Sequence, residues 1–435
     1  MNEETKKKVM KNKKRKAKIR LRVLYTCCAL IFLLITLVVV CFDLFSPPKT
    51  FSESENRMLT QRPELSLSTI ADGRFMDKYE SYVTDQFVAR DFWVSIKTKV
   101  DKLCGKKESN GVLIGKKDFL FEKISTPDEK NLADNLAAIN NFYGRHSDLK
   151  FYFALIPNAA NILSEYLPAN APVRDQNGDM ENVKQQLDGN IAWVDMFTPM
   201  SNHREEAIYY KTDHHWTSLG AFYGFEALSS AMDIDSVGTT YDRYAVSTDF
   251  TGTLASKSGY THVKDTIEIF IPNNVENEFV LQYVEEQRKT ASIYDSEALT
   301  TKDKYEVFLG GNFPMIDLQT TNKNTRRLLL FKDSYANSMI PFLTPYFREI
   351  VIIDPRYYYG DIETVITNKS ITDVLFLYNG NTFFEDNSIA DVLAVLENSV
   401  QSPQESEGET QPPETPSPET QSPETQSQEI KEPSE

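Results

Sequence analysis

Apolar residues in this chain recur in three rhythms, and each predicts a different kind of element. Residues 23–42, from Val23 to Phe42, are nearly all apolar and carry no charge. At ~1.5 Å per helical residue, such a run covers the ~30 Å hydrocarbon core of a bilayer. Further on come short apolar runs without alternation: Phe151 to Ile156, Ile191 to Val194, Leu328 to Phe331, Ile350 to Ile353 and Val374 to Tyr378. Continuous hydrophobicity over so few residues predicts strands covered on both faces. Between them, spacings of three and four predict helices over 68–104, 128–145 and 217–232. The first carries Phe75, Tyr79, Tyr82, Val83 and Phe87, then Phe92, Trp93, Ile96 and Val100; the last starts at Thr217 or Ser218 as cap and continues with Leu219, Phe222, Phe225 and Leu228. Asn110-Gly111 predicts a turn into the hairpin-like segments Val112 to Gly115 and Phe119 to Phe121.

Strands alternating with helices predict an α/β fold with a mostly parallel sheet, covered by helices on both sides. In such sheets reactive groups collect beyond the carboxyl ends of the strands. Ser334, Asp354 and Asn379 each stand at such an end, in three neighbouring strand candidates. Residues 240–300 are rich in Thr, Gly and Ser and then alternate in a β-like way; they read as an insertion near the site.

Charge divides the chain further. Residues 1–22 hold eleven Lys and Arg against Glu3 and Glu4, which puts a basic head on the cytoplasmic side of the 23–42 anchor. No small-residue cleavage site follows, so an uncleaved anchor is expected, with a short stiff spacer at Ser46-Pro47-Pro48. Residues 43–400 then form the extracytoplasmic domain. Residues 401–435 consist almost wholly of Pro, Glu, Thr, Ser and Gln, with Pro-Glu-Thr recurring, and disorder is expected there. The middle of the chain carries nearly all of the net charge of −16, which excludes nucleic acid as a partner. Cys27, Cys28 and Cys41 lie in the anchor, leaving Cys104 alone outside; neither an internal disulfide nor a cysteine metal site can form.

The chemistry concentrates in Asp213-His214-His215-Trp216 and in Lys332-Asp333-Ser334-Tyr335. A serine hydroxyl becomes a nucleophile when an imidazole removes its proton, and a carboxylate on the other ring nitrogen holds the useful tautomer. On an extended segment Asp213 and His215 would point the same way and His214 the other. Ser334, His215 and Asp213 are therefore the expected nucleophile, base and orienting carboxylate. The Ser334 N–H at the start of a helical turn would be one oxyanion donor, with Asn379 or the Gly310-Gly311-Asn312 turn supplying a second. Trp216 reads as a core or pocket-wall residue. A metal ion is not expected, since adjacent histidines on a strand diverge.

These residues also carry a resemblance. The chain is similar to the DHHW family of bacterial exported proteins over roughly residues 50–390, through Asp213-His214-His215-Trp216, Ser54-Glu55-Asn56-Arg57, Tyr82 to Phe87, Asn110-Gly111-Val112, Lys332 to Ser338 and Asp354-Pro355-Arg356-Tyr357-Tyr358. That family looks like a relative of the SGNH-hydrolase-like alginate O-acetyltransferases. The resemblance implies a three-layer α/β/α, flavodoxin-like core and an acyl-enzyme on Ser334 with His215 and Asp213. Tyr335 and Arg356, within the shared motifs, join Trp216 as candidate substrate contacts. It also implies a polysaccharide acceptor, an acetyl donor but no resident cofactor, and a multispanning membrane acyltransferase as partner. Here Lys332 stands where the SGNH serine motif has glycine. The expected activity is O-acetylation of a cell-envelope or exported polysaccharide; the rivals are an esterase on the same residues and a non-catalytic envelope protein.

Overall fold

The computed structural model of the chain describes residues 3–45, 47–52, 57–63, 65, 66, 70, 74–273 and 278–394. Ser46 of the spacer, Ser54, Glu55 and Asn56 of the first shared motif, residues 68, 69 and 71–73 of the expected helix, and the 401–435 tail lie outside the described residues. The N-terminal helix α1, Glu3–Phe45, contains a span, Lys13–Phe42, long and apolar enough to cross a membrane.

Eight strands build the central sheet: β1 (Lys150–Ile156), β2 (Ala192–Val194), β3 (Phe279–Tyr283), β4 (Arg288–Thr290), β5 (Met315–Thr320), β6 (Arg327–Lys332), β7 (Glu349–Ile353) and β8 (Asp373–Asn379). Their order is β4-β3-β5-β7-β6-β8-β1-β2. From β7 through β6, β8 and β1 to β2 every pairing is parallel. From β7 outward through β5 and β3 to β4 every pairing is antiparallel. The sheet is thus mixed, with four parallel pairings and three antiparallel ones. The antiparallel part comes from β5, whose pattern predicted no strand, and from β3 and β4, which join the sheet edge although residues 240–300 read as an insertion.

Within the parallel half, alternate side chains serve two separate cores. Leu328 and Leu330 of β6, Leu375 and Leu377 of β8 and Tyr152 and Ala154 of β1 face one core with Ala221, Phe225 and Leu228 of helix α3 (Ser218–Ala231). Leu329, Phe331, Val374, Phe376, Phe151 and Phe153 face the other, with Leu136, Ile139 and Phe142 of helix α2 (Glu129–Arg145). Each buried Leu or Phe stabilises the fold by about 1.5–3 kcal/mol, which explains why the middle of each strand is apolar on both faces. Local chemistry sets the helix ends. Asp128 caps α2 through the Lys130 and Asn131 N–H groups, and Thr217 caps α3 through the Gly220 N–H.

The helical reading of 68–104 divides into Arg74–Gln86 and Arg90–Leu103, because Ala89 takes a left-handed conformation (φ 53°) between them. Asn110 (φ 48°) and Gly111 (φ 80°) form the two-residue turn expected of Asn-Gly, joining Glu108–Ser109 to Val112–Ile114, which pairs in turn with Leu120–Glu122.

Candidate active site

Tyr209 and Trp216 form an isolated antiparallel bridge, and the chain between them doubles back instead of running extended. Asp265 holds this loop by accepting the Lys211 N–H at 3.0 Å, the Thr212 N–H at 2.7 Å and the Thr212 hydroxyl at 2.6 Å. Inside it, Asp213 Oδ1 accepts the His215 N–H at 3.0 Å and stands 2.6 Å from His215 Nδ1. A side chain bonding the backbone two residues on is the turn geometry aspartate favours. The bend brings Asp213 and His215 together, but it does not separate the two histidines. Their ring centroids are 3.9 Å apart, contrary to the divergence expected of a strand.

Ser334 sits just beyond the carboxyl end of β6, between its two parallel neighbours. Asp333 caps the turn Ser334–Ser338 by accepting the Tyr335 N–H at 3.0 Å, and its other oxygen accepts the Asn379 N–H from the end of β8 at 2.8 Å. Ser334 Oγ lies 2.8 Å from His215 Nε2, across 119 positions of sequence. The serine N–H opens the turn, so it has no intrahelical acceptor.

The far side of Asp213 is completed by the segment after Phe250. Asp213 Oδ2 accepts the Thr253 N–H at 2.8 Å and the Thr253 hydroxyl at 3.0 Å. Gly252 makes that approach possible: a Cβ there would lie 2.3 Å from the Asp213 Cβ. Gly252→Ala is therefore expected to push the carboxylate and its loop aside, destabilising the fold by about 1–3 kcal/mol, read as a fall in thermal unfolding temperature. An unchanged unfolding temperature would show that the loop relaxes freely.

Electrostatics follow from burial. Asp213 and His215 are both buried, and the His215 ring stacks on Tyr305 with centroids 3.8 Å apart. Burial and the neighbouring His214 push His215 down to about 4, against the opposing pull of Asp213. Burial works to raise the Asp213 carboxyl, but His214, His215 and the Thr253 amide outweigh it and hold Asp213 well below the usual carboxylate range. The pair is thus a carboxylate beside a neutral imidazole at neutral pH.

The other predicted residues divide between cavity and scaffold. A cavity of about 410 Å³ is lined by His214, Arg356, Asn379, Asn381, Thr382 and Glu122 among others. Asn379 donates its amide to the Ile156 carbonyl at 3.1 Å and accepts the Asn381 N–H at 3.0 Å. Arg356 grips Asp354 in a two-pronged pair (2.8 and 2.6 Å), and the fully buried Lys332 reaches the same carboxylate at 3.4 Å. Lys332 also donates to Asn312 Oδ1 at 2.9 Å. Its stem thus fills interior space that glycine would leave open. The Gly311 N–H goes to the Phe308 carbonyl, so the Gly311-Asn312 turn braces Lys332 and Asn337. Trp216, fully buried, donates its indole N–H to the Tyr335 carbonyl at 2.8 Å, and the Tyr335 hydroxyl donates to the His214 carbonyl. These two aromatics hold the His loop against the Ser334 turn; their polar atoms do not face the Ser–His pair.

Sequence reasoning missed Gly252, Thr253, Tyr305 and Asp265, and assigned no role to Lys332. The Thr251-Gly252-Thr253 run lay inside the stretch read as an insertion near the site. Asp213, His214 and His215 also present ligand atoms within 4.8 Å of one another. Both His215 nitrogens and His214 Nδ1 already face hydrogen-bond partners, so a metal ion there would displace Ser334 or Thr253.

Comparison with known proteins bears on the same segment. The family described as DHHW protein matches residues 118–353, more than half of the chain. A solved DHHW family protein from Eubacterium siraeum is 25% identical, covers 65% of this chain and 95% of its own, and superposes with a TM-score of 0.57. PatB1 of Bacillus cereus, solved with a sulfonyl adduct, is 21% identical over 64% of this chain and 98% of its own (TM-score 0.53). A probable alginate O-acetylase, AlgJ of Pseudomonas putida, is 23% identical over 178 residues, 39% of this chain. The chain spans about half the length of the curated relatives it matches, 46% and 44%.

Proposed function

This chain belongs to the DHHW family, and on that premise we propose that it is a membrane-anchored serine acyltransferase that O-acetylates a cell-envelope or exported polysaccharide. The observation that carries the reading is the Asp213–His215–Ser334 chain of contacts, 2.6 and 2.8 Å long. In this reading Ser334 Oγ attacks the donor's acetyl carbonyl while His215 Nε2 takes its proton and passes it to the leaving group. The Ser334 N–H faces the oxyanion. A sugar hydroxyl then gives its proton to His215, attacks the acyl carbonyl and releases Ser334. The probable alginate O-acetylase among the relatives supports both the acyl group and the glycan acceptor.

Residues 1–22 then lie in the cytoplasm, 23–42 span the membrane, 43–400 work outside and 401–435 form a polar tail. A multispanning acyltransferase delivers the acetyl group from within, and no resident cofactor takes part. Intact-protein mass spectrometry after incubation with para-nitrophenyl acetate tests the chemistry. The expected result is one acetyl group, mapped to the peptide containing Ser334. An unmodified protein, or an acetyl group elsewhere, would overturn it.

The pH profile follows from the environment of His215. Only the neutral ring accepts the serine proton, so activity is lost as pH falls through the folded pKa. That value is pushed down to about 4, and an ordinary histidine titrates near 6.5. The expected kcat/KM is therefore level between about pH 5 and 8 and falls only towards pH ~4. The loss moves below the ordinary histidine range because burial and His214 disfavour the imidazolium. A midpoint near pH ~6.5 would show that His215 is not so shielded.

A further inference from the structure

His214 shares the loop of His215, its Nδ1 stands 3.6 Å from Asp213 Oδ1, and its hydrogen bonds define what it offers. Asp213 Oδ1 accepts twice from His215, and Oδ2 accepts the Thr253 N–H and the Thr253 hydroxyl. An ionised carboxylate has no proton to give, so the single hydroxyl proton of Thr253 points at Asp213. Thr253 Oγ can then only accept at its other neighbour, His214 Nδ1, 2.7 Å away. In the neutral ring the Nδ1 proton is thus committed, and Nε2 is left as a bare acceptor. Among the described residues nothing hydrogen-bonds Nε2; the side chain is 27% exposed and forms part of the wall of the 410 Å³ cavity.

We infer that His214 Nε2 accepts a hydrogen bond from a second hydroxyl of the acceptor saccharide and thereby directs the acyl group to sugar instead of water. The inference rests on the acyl-enzyme reading above. The reacting hydroxyl has one proton and must give it to His215 Nε2, so it cannot also serve His214. A neighbouring hydroxyl on the same sugar can, with the two imidazole ring centroids 3.9 Å apart, and water carries no such neighbour. In the step itself the reacting oxygen bonds to the acyl carbon, the Ser334 Oγ–acyl bond breaks, and the proton held by His215 returns to Oγ. His214 exchanges no proton; it is a substrate-positioning residue. The cavity that His214 borders carries more acidic than basic side chains. Glu122, Glu385 and Asp386 line it against the single guanidinium of Arg356, itself held by Asp354, which suits an uncharged saccharide.

The test uses the full chain with para-nitrophenyl acetate as donor and chitopentaose as an uncharged acceptor, quantifying acetylated sugar, free acetate and acyl-enzyme together. His214→Phe is expected to lower the ratio of acetyl-sugar to acetate by about tenfold, the worth of one hydrogen bond, and to raise KM for the sugar. His214→Gln, whose amide oxygen can accept the same bond, is expected to keep most of the ratio. Equal ratios in all three proteins would overturn the inference, as would equal losses in Phe and Gln that track a lowered unfolding temperature. Acylation followed only by hydrolysis in the wild type would overturn it and leave the acyl-enzyme standing. A wild type that never acylates would overturn both.

Discussion

Ser334→Ala is expected to abolish the acetyl adduct and to lower kcat by on the order of 10⁴–10⁶-fold, the range seen when a triad nucleophile is removed. The structure argues that this loss can occur without damage to the fold. Ser334 is half-buried at the start of its turn, and the turn is capped by Asp333, not by the serine hydroxyl. The Oγ contact to His215 is its one side-chain hydrogen bond among the described residues. Alanine therefore removes the proposed attacking atom and leaves His215 on Asp213 and Tyr305. Activity and adduct should vanish together, with the unfolding temperature unchanged within a degree or so. Residual turnover above a hundredth of wild type would instead favour a role for the His loop that does not pass through Ser334.

Asp213→Asn is expected to cost about 10⁴-fold in kcat, and here the hydrogen-bond pattern states why. Every group facing the carboxylate is positioned to donate: His215 N–H and Nδ1 at Oδ1, Thr253 N–H and hydroxyl at Oδ2. An amide must turn its NH₂ towards one of these pairs. Towards His215, it meets a backbone N–H and forces Nδ1 to accept, so the ring proton moves to Nε2 and the base is lost. Towards Thr253, it meets another N–H, and the hydroxyl proton must rotate away from residue 213. Either arrangement leaves a buried donor unpaired, at about 1–3 kcal/mol of stability. Steady-state kinetics beside thermal unfolding separates the two effects. A loss smaller than tenfold would mean that the carboxylate does not hold the working tautomer.

Much of this arrangement was legible before any coordinates. The unbroken apolar runs at 151–156, 328–331, 350–353 and 374–378 read as strands with two covered faces, and they became the adjacent β1, β6, β7 and β8. Asp128 and Thr217 announced their helices because capping is local chemistry. The pairing of Asp213 with His215 was also visible, but for the wrong geometric reason. An extended segment was expected, and a bend anchored by Asp265 does the work. Strand β5 escaped notice because Asp317 and Gln319 interrupt its apolar pattern, and both are paired with charged or polar neighbours only in the folded chain.

Elements whose character depends on neighbours in sequence were therefore determined by the residues themselves: the apolar N-terminal helix, the buried strands, the capped helices, and the pairing of a carboxylate with an imidazole two positions on. Tertiary structure alone decided that Ser334 meets His215 across 119 positions, that Gly252 and Thr253 close around Asp213, and that Lys332 spends its charge on Asp354. The physical reason is the range of the interactions. Helix capping and strand alternation are satisfied within a few residues, but a buried donor or charge takes whatever partner the packed sheet brings to it, and no periodicity encodes that partner.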